Sequence, residues 1–109
     1  MDILSRADEI LMLAILRLKD DASGVTIVRE VQKRTGKDIK LGALWVSLDI
    51  LAKRGLIEKR LGDPTPKRGG RSKIYYTLTP DGREALALLY DFTQSLWKGI
   101  PETIKSSQT

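Results

Sequence analysis

Residues 41–81 read LGALWVSLDILAKRGLIEKRLGDPTPKRGGRSKIYYTLTPD, and this stretch decides the fold. Its first part repeats Leu44, Leu48 and Leu51 at helical spacing and stops at Gly55, which predicts a helix. Residues 56–61 and 73–78 alternate apolar and polar side chains and therefore predict two paired strands. The glycines, prolines and positive charges of residues 62–72 predict a long basic loop between these strands.

Two more helices are predicted before this stretch. Residues 5–19 carry apolar side chains on nearly every side of a helix, so this helix must be covered on two sides, one of them by a partner subunit. Ser23 is a suitable N-cap for a second helix, whose apolar stripe lies within residues 25–31. Gly36 is suited to end that helix, because glycine adopts the left-handed conformation found there.

A fourth helix is predicted to begin at Thr79 and Pro80, an N-cap followed by a proline in the first turn. It carries two apolar rows, Leu86, Leu89, Thr93, Leu96 and Ile100 in one and Ala85, Leu88 and Phe92 in the other. One row can face the domain and the other a partner subunit, although both rows could also pack within the chain. The polar residues 101–109 are expected to form a flexible tail.

The order helix, helix, helix, strand, basic loop, strand, helix predicts a mainly α fold with a small β-hairpin wing, a winged helix-turn-helix. The third helix would enter the major groove of DNA. Residues 1–79 would form the DNA-binding domain, and residues 80–100 a C-terminal dimerisation helix.

Composition narrows the classes of function. The chain has 109 residues, a formal net charge of +5, and neither cysteine nor histidine. One domain is expected, and the positive charge favours a polyanionic partner. A disulfide is excluded, and the commonest metal ligands and general base are missing, so we expect no metal, no cofactor and no enzymatic activity. No signal peptide or membrane-spanning run is visible, which predicts a cytoplasmic protein without a membrane partner.

Residues predicted to contact DNA lie on the third helix, beside it, and in the basic loop. Ser47 can hydrogen bond to a base edge, Ala43 and Val46 can contact a thymine methyl group, and the basic residues can contact phosphates. The full predicted set is Lys40, Gly42, Ala43, Val46, Ser47, Lys53, Arg54, Lys67, Arg68, Arg71 and Lys73. Trp45 allows either packing beside the leucine stripe or contact with a base.

Two segments resemble the PadR family of transcriptional regulators. They are residues 41–57, LGALWVSLDILAKRGLI, and residues 69–83, GGRSKIYYTLTPDGR. The resemblance extends over residues 10–97, although Trp45 stands where the family usually has tyrosine. It implies a homodimeric repressor that dimerises through its last and first helices and binds a palindromic operator in double-stranded DNA.

The dimer interface is accordingly expected to contain residues of both helices: Leu11, Ile15, Leu86, Leu89, Thr93, Leu96, Trp97 and Ile100. Some family members hold flat ligands with aromatic residues in this region. The resemblance therefore makes Trp97 a candidate contact for a small aromatic effector, whereas Trp97 as an ordinary interface side chain is the alternative.

The main alternative function is a winged-helix adaptor that binds proteins and has lost the DNA-binding role. A neutral or acidic hairpin would favour the adaptor, whereas this hairpin is basic. An enzyme is disfavoured because Asp20, Asp21 and Asp63 lie in predicted loops without histidine or cysteine nearby. The sequence therefore predicts a sequence-specific DNA-binding regulator.

Overall fold

A computed structural model describes residues 4–62 and 73–107 of the chain. The elements follow the predicted order, and a short 3-10 turn at Lys19–Asp21 separates the first two helices. The helices and strands are α1 (Arg6–Leu18), α2 (Gly24–Thr35), α3 (Leu41–Lys53), β1 (Ile57–Leu61), β2 (Ile74–Leu78), α4 (Pro80–Trp97) and α5 (Ile100–Ser107).

Short-range signals at the helix ends act as the sequence predicts. Ser23 caps α2 by accepting a hydrogen bond from the Thr26 backbone N–H at 3.4 Å, and the Thr26 hydroxyl accepts one from the Ser23 N–H at 2.8 Å. Gly36 ends α2 with a φ of +76°, a conformation that side-chain-bearing residues rarely adopt. These local contacts set where α2 begins and ends.

The two strands form an antiparallel hairpin in which Ile57 pairs with Leu78 and Leu61 with Ile74. A two-stranded hairpin is only marginally stable by itself in water. Here the Tyr76 N–H donates to the Ala22 carbonyl at 2.8 Å, and Ser23 forms an isolated bridge with Tyr75. The segment before α2 therefore attaches the hairpin to the helices.

The core is formed where α1, α2, α3 and the hairpin meet. Its largest fully buried side chains are apolar and come from every one of these elements: Met12, Ile15, Ile27, Val31, Leu44, Leu48, Leu51 and Ile57. Tyr76 and Leu78 of β2 belong to the same cluster. This core fixes α3 with its leucine stripe inward and its opposite side in solvent.

A buried joint connects the end of α3 to the start of α4. The Thr79 hydroxyl donates to the Gly55 carbonyl at 2.6 Å and accepts from the Gly82 N–H at 3.0 Å. The Thr79 N–H also donates to the Leu56 carbonyl at 3.1 Å. The joint therefore sets the direction in which α4 leaves the domain.

The C-terminal segment differs from the prediction of a single helix and a flexible tail. Gly99, with a φ of +80°, interrupts the helix just after α4 ends at Trp97, and Ile100 then begins α5. Pro101 lies in the first turn of α5, where a backbone N–H has no acceptor within the helix. Proline, which lacks this N–H, therefore costs no helical hydrogen bond there. Residues 101–107, which the sequence places in a flexible tail, are helical.

Candidate nucleic-acid interface

The side of α3 that faces away from the core forms a continuous ridge. Gly42, Val46, Asp49 and Lys53 follow one another at spacings of three or four residues, which places them on one face of the helix. Because Leu44, Leu48 and Leu51 are buried on the other face, the ridge projects into solvent. We call these four residues the recognition ridge.

Most residues predicted to contact DNA from α3 lie on or beside the recognition ridge. Val46 is 61% exposed, and Ala43 is exposed in the first helical turn. Lys40 is exposed immediately before the helix, whereas Ser47 lies half-buried at the edge of the exposed side. The fold thus gathers these predicted contacts on one accessible surface of a single helix.

Asp49 is a member of the recognition ridge that the sequence-based prediction missed. Its carboxylate lies 3.1 Å from the Lys53 Nζ and 3.6 Å from the Lys59 Nζ of β1. The hydrogen bond from Lys53 and the charges of both lysines lower the pKa of Asp49. The four-residue spacing to Lys53 is a signal in the sequence, but the pairing with Lys59 requires the fold.

The basic residues at the other predicted positions have different environments. Arg54 binds the Asp8 carboxylate at 3.1 Å and so joins the end of α3 to the first turn of α1. The ion pair uses the Nη1 atom of Arg54. Lys73 is half-buried at the start of β2, and Lys67, Arg68 and Arg71 lie outside the described residues.

Arg60 of β1 is held against the body of the domain. Its guanidinium stacks 4.7 Å above the centre of the Tyr75 ring and donates to the Asp20 carbonyl at 2.7 Å. Lys59, the residue before Arg60, is paired with Asp49. Lys59 and Arg60 therefore both have partners within the chain, and these contacts stabilise the base of the wing.

Trp45 packs against the neighbouring elements but stays 42% exposed, so contact of its outer surface with a base also remains a prediction. Its ring centre lies 6.4 Å from that of Tyr76, and a Cβ added at Gly24 would come within 2.8 Å of its indole. Gly24 therefore allows the indole to lie close to the start of α2. Burial raises the pKa of the Tyr76 hydroxyl, and the negative charge of Asp49 is a second, smaller cause of the same shift.

The predicted dimer residues separate into two groups. Leu11 and Ile15 are 5% and 1% exposed because α2 and the hairpin cover that side of α1, so they offer no surface to a partner in this conformation. On α1 the exposed apolar residues are Leu13 and Leu16. The spacing of apolar residues does not distinguish the outer side of α1, because this helix is apolar almost all round.

The residues of α4 become more exposed toward its C-terminal end. Leu86, Leu89 and Thr93 are half-buried against the domain, whereas Leu96 is 61% and Trp97 47% exposed. Leu88, Phe92 and Ile100 are further exposed apolar residues of this C-terminal segment. We call the set Leu88, Phe92, Leu96, Trp97 and Ile100 the C-terminal apolar strip.

Residues 4–62 and 73–107 contain neither a group of metal-ligating side chains nor a membrane-spanning helix. In these ranges no three acidic, cysteine or histidine side chains come together in an arrangement suited to a metal ion. The helices described there also lack the length and apolar character needed to cross a lipid bilayer.

Solved structures resemble this fold over nearly its whole length. A PadR family transcription regulator from hypervirulent Clostridium difficile is 26% identical, with a TM-score of 0.63 and coverage of 93% of this chain and 97% of that one. A PadR family regulator from Eggerthella lenta is 21% identical, with a TM-score of 0.67 and coverage of 91% and 84%. The second likeness concerns the fold alone.

A winged-helix DNA-binding protein from STIV shares the fold at 18% identity, with a TM-score of 0.66 and coverage of 87% of this chain and 95% of that one. No curated protein is significantly similar in sequence. The sequence model of the transcriptional regulator PadR-like family matches residues 12–88, which include α2, α3, both strands and the beginning of α4. Because this match spans most of the chain, the protein belongs to the PadR-like family of transcriptional regulators.

Proposed function

We propose that this protein is a sequence-specific DNA-binding repressor that acts as a homodimer on a palindromic operator. The observation that carries the proposal is the recognition ridge, an exposed helix face beside a hairpin that bears an excess of positive charge. Membership of the family supports a role in transcription. A repressor would act by occupying DNA that the transcription machinery needs.

Dimerisation is supported by the C-terminal apolar strip. Five large apolar side chains stay in solvent on α4 and the start of α5 in the single chain, and a concentration of exposed apolar residues of this kind marks interaction sites. A two-fold dimer would bury the strip and present two copies of α3. Two recognition helices about 34 Å apart would enter successive major grooves of a palindromic site.

The proposal assigns phosphate contacts and base contacts to different residues, and variants of these residues test it. Replacing Lys40 with alanine should weaken binding to specific and scrambled duplexes alike and reduce the salt slope by about 1. Ser47→Ala should weaken binding mainly to the specific duplex, by about fivefold, because one hydrogen bond to a base is lost. Fluorescence anisotropy at several salt concentrations measures both quantities.

Lys98→Ala is the matched control. Lys98 is an exposed lysine that caps the C-terminal end of α4, whereas β2 precedes the N-terminal end of this helix. It should leave the affinity for both duplexes and the salt slope unchanged. Equal losses on every duplex from Lys40→Ala and Ser47→Ala would contradict the assignment of these residues. A wild-type protein that binds neither duplex at low salt would contradict the function itself.

The proposal includes a small aromatic effector that contacts Trp97. The exposed indole at the end of α4 offers a flat face on which an aromatic ring can stack. Trp45→Phe leaves Trp97 as the single tryptophan of the chain, so its fluorescence reports on this position alone. Acridine, a flat aromatic probe, should quench that fluorescence saturably, and a purely linear response would contradict the assignment.

A further inference from the structure

We infer that the exposed face of α3 reads thymine 5-methyl groups, so the DNA site of this regulator carries thymines where Ala43, Val46 and Ile50 meet the major groove. The inference rests on the proposed DNA-binding function and specifies the chemistry that the recognition helix selects. All four bases present hydrogen-bonding groups in the major groove, and thymine alone adds a methyl group there.

The exposed face of α3 is mainly aliphatic. Val46 and Ile50 are 61% and 51% exposed, and the small Ala43 lies on the same side one turn before Val46. No atom lies within 4 Å of a Cβ built at Gly42, so the neighbouring surface is open to an approaching base pair. This face can therefore contact base methyl groups directly.

Groups able to read hydrogen-bonding patterns are few on this helix. Apart from the Trp45 indole, the polar side chains between Leu41 and Ala52 are Ser47 and Asp49. Ser47 is half-buried, and the Asp49 carboxylate is held by Lys53 and Lys59. The bidentate contacts that specify guanine or adenine need arginine, lysine, asparagine or glutamine. The one such residue of α3 is Lys53 at its last position, and the Lys53 Nζ is paired with the Asp49 carboxylate at 3.1 Å.

Burial of aliphatic surface supplies the selectivity. A branched side chain that stays in water before binding loses apolar surface to water when it packs on a methyl group, which favours association. One buried methyl group corresponds to about a fourfold change in affinity. Two or more contacts in each half of a palindromic site would multiply this factor.

The test replaces thymine by uracil, which removes the 5-methyl group and keeps base pairing and the O4 acceptor. Duplexes are first enriched by the protein from a random library, and the enriched sequences are then made with dTTP or with dUTP. The wild-type protein should bind the thymine form at least about tenfold more tightly than the uracil form. Affinities are measured by fluorescence anisotropy at one salt concentration.

Val46→Ala and Ile50→Ala should each reduce the thymine-to-uracil affinity ratio several-fold, since each removes aliphatic surface from the face. Val25→Ala is the matched control, because Val25 is an exposed valine on α2. It should keep the wild-type ratio. Circular dichroism melts establish that all three variants fold, as is expected for changes at exposed positions.

The outcomes separate the inference from the function on which it rests. If the wild-type protein binds thymine and uracil duplexes equally well, methyl recognition is refuted while DNA binding stands. If both α3 variants keep the full ratio, the methyl groups are read elsewhere and the inference is also refuted. If the library yields no enriched sequence, the proposed function itself fails.

Discussion

Gly82→Ala should lower the free energy of unfolding by about 3 kcal/mol, one of the largest stability effects of any single methyl addition to this chain. A Cβ at this position would lie 2.1 Å from the carbonyl oxygen of Leu56 and 3.1 Å from its carbonyl carbon. Both neighbours are backbone atoms, so no side-chain rotation relieves the clash.

The surrounding hydrogen bonds make the clash more costly. The Leu56 carbonyl accepts from the Thr79 N–H, and the Gly82 N–H donates to the Thr79 hydroxyl that caps α4. Moving α4 away to admit the methyl group would stretch both bonds, and loss of an N-cap alone costs about 1 kcal/mol. Packing and capping are therefore lost together.

Urea denaturation followed by circular dichroism measures the change, with all proteins at one concentration because dimerisation adds to the apparent stability. Gly42→Ala is the matched control: it lies in α3 with open space around its Cβ position. Alanine there should stabilise the fold by about 0.5–1 kcal/mol, since it favours a helix more than glycine does. A Gly82→Ala protein as stable as the wild type would contradict the proposed packing of the joint.

Leu96→Glu should dissociate the proposed dimer and weaken binding to a palindromic duplex at least about 100-fold. Leu96 lies within the C-terminal apolar strip, and a carboxylate there would be buried without a partner in the dimer. A monomer that engages a single half-site loses the advantage of two linked contacts, which is worth about 100-fold or more.

Ala87→Glu is the control for charge alone. Ala87 is exposed nine residues before Leu96, on the opposite side of α4, and no member of the strip lies three or four residues from it. Sedimentation equilibrium should show a monomer for Leu96→Glu and a dimer for Ala87→Glu. A Leu96→Glu protein that stays dimeric would exclude the strip as the interface.

The sequence predicts the features of this fold that depend on neighbouring residues. The caps at Ser23, Gly36 and Thr79 are short-range signals, and the leucine stripe of α3 identifies its buried side by spacing alone. The pairing of the strands follows from the alternation of apolar and polar side chains along each strand and from the loop between the strands. Each of these features is decided within a few residues of chain.

The features that the sequence does not reveal depend on residues far apart in the chain. The ion pair of Arg54 with Asp8 and that of Lys59 with Asp49 join different elements. The burial of Leu11 and Ile15 depends on which side of α1 the hairpin and α2 cover. Helix α5 was missed because its polar composition and Pro101 are also typical of a frayed end.

The proposed function requires that two copies of this chain bind one specific duplex. The most direct measurement is sedimentation of the protein with a labelled duplex enriched from a random library, and with its scrambled counterpart, at low and moderate salt. We predict two chains on each specific duplex, weaker binding to the scrambled duplex, and a loss of affinity as salt rises. Absence of binding to both duplexes at low salt, or a single chain on each, would contradict the account.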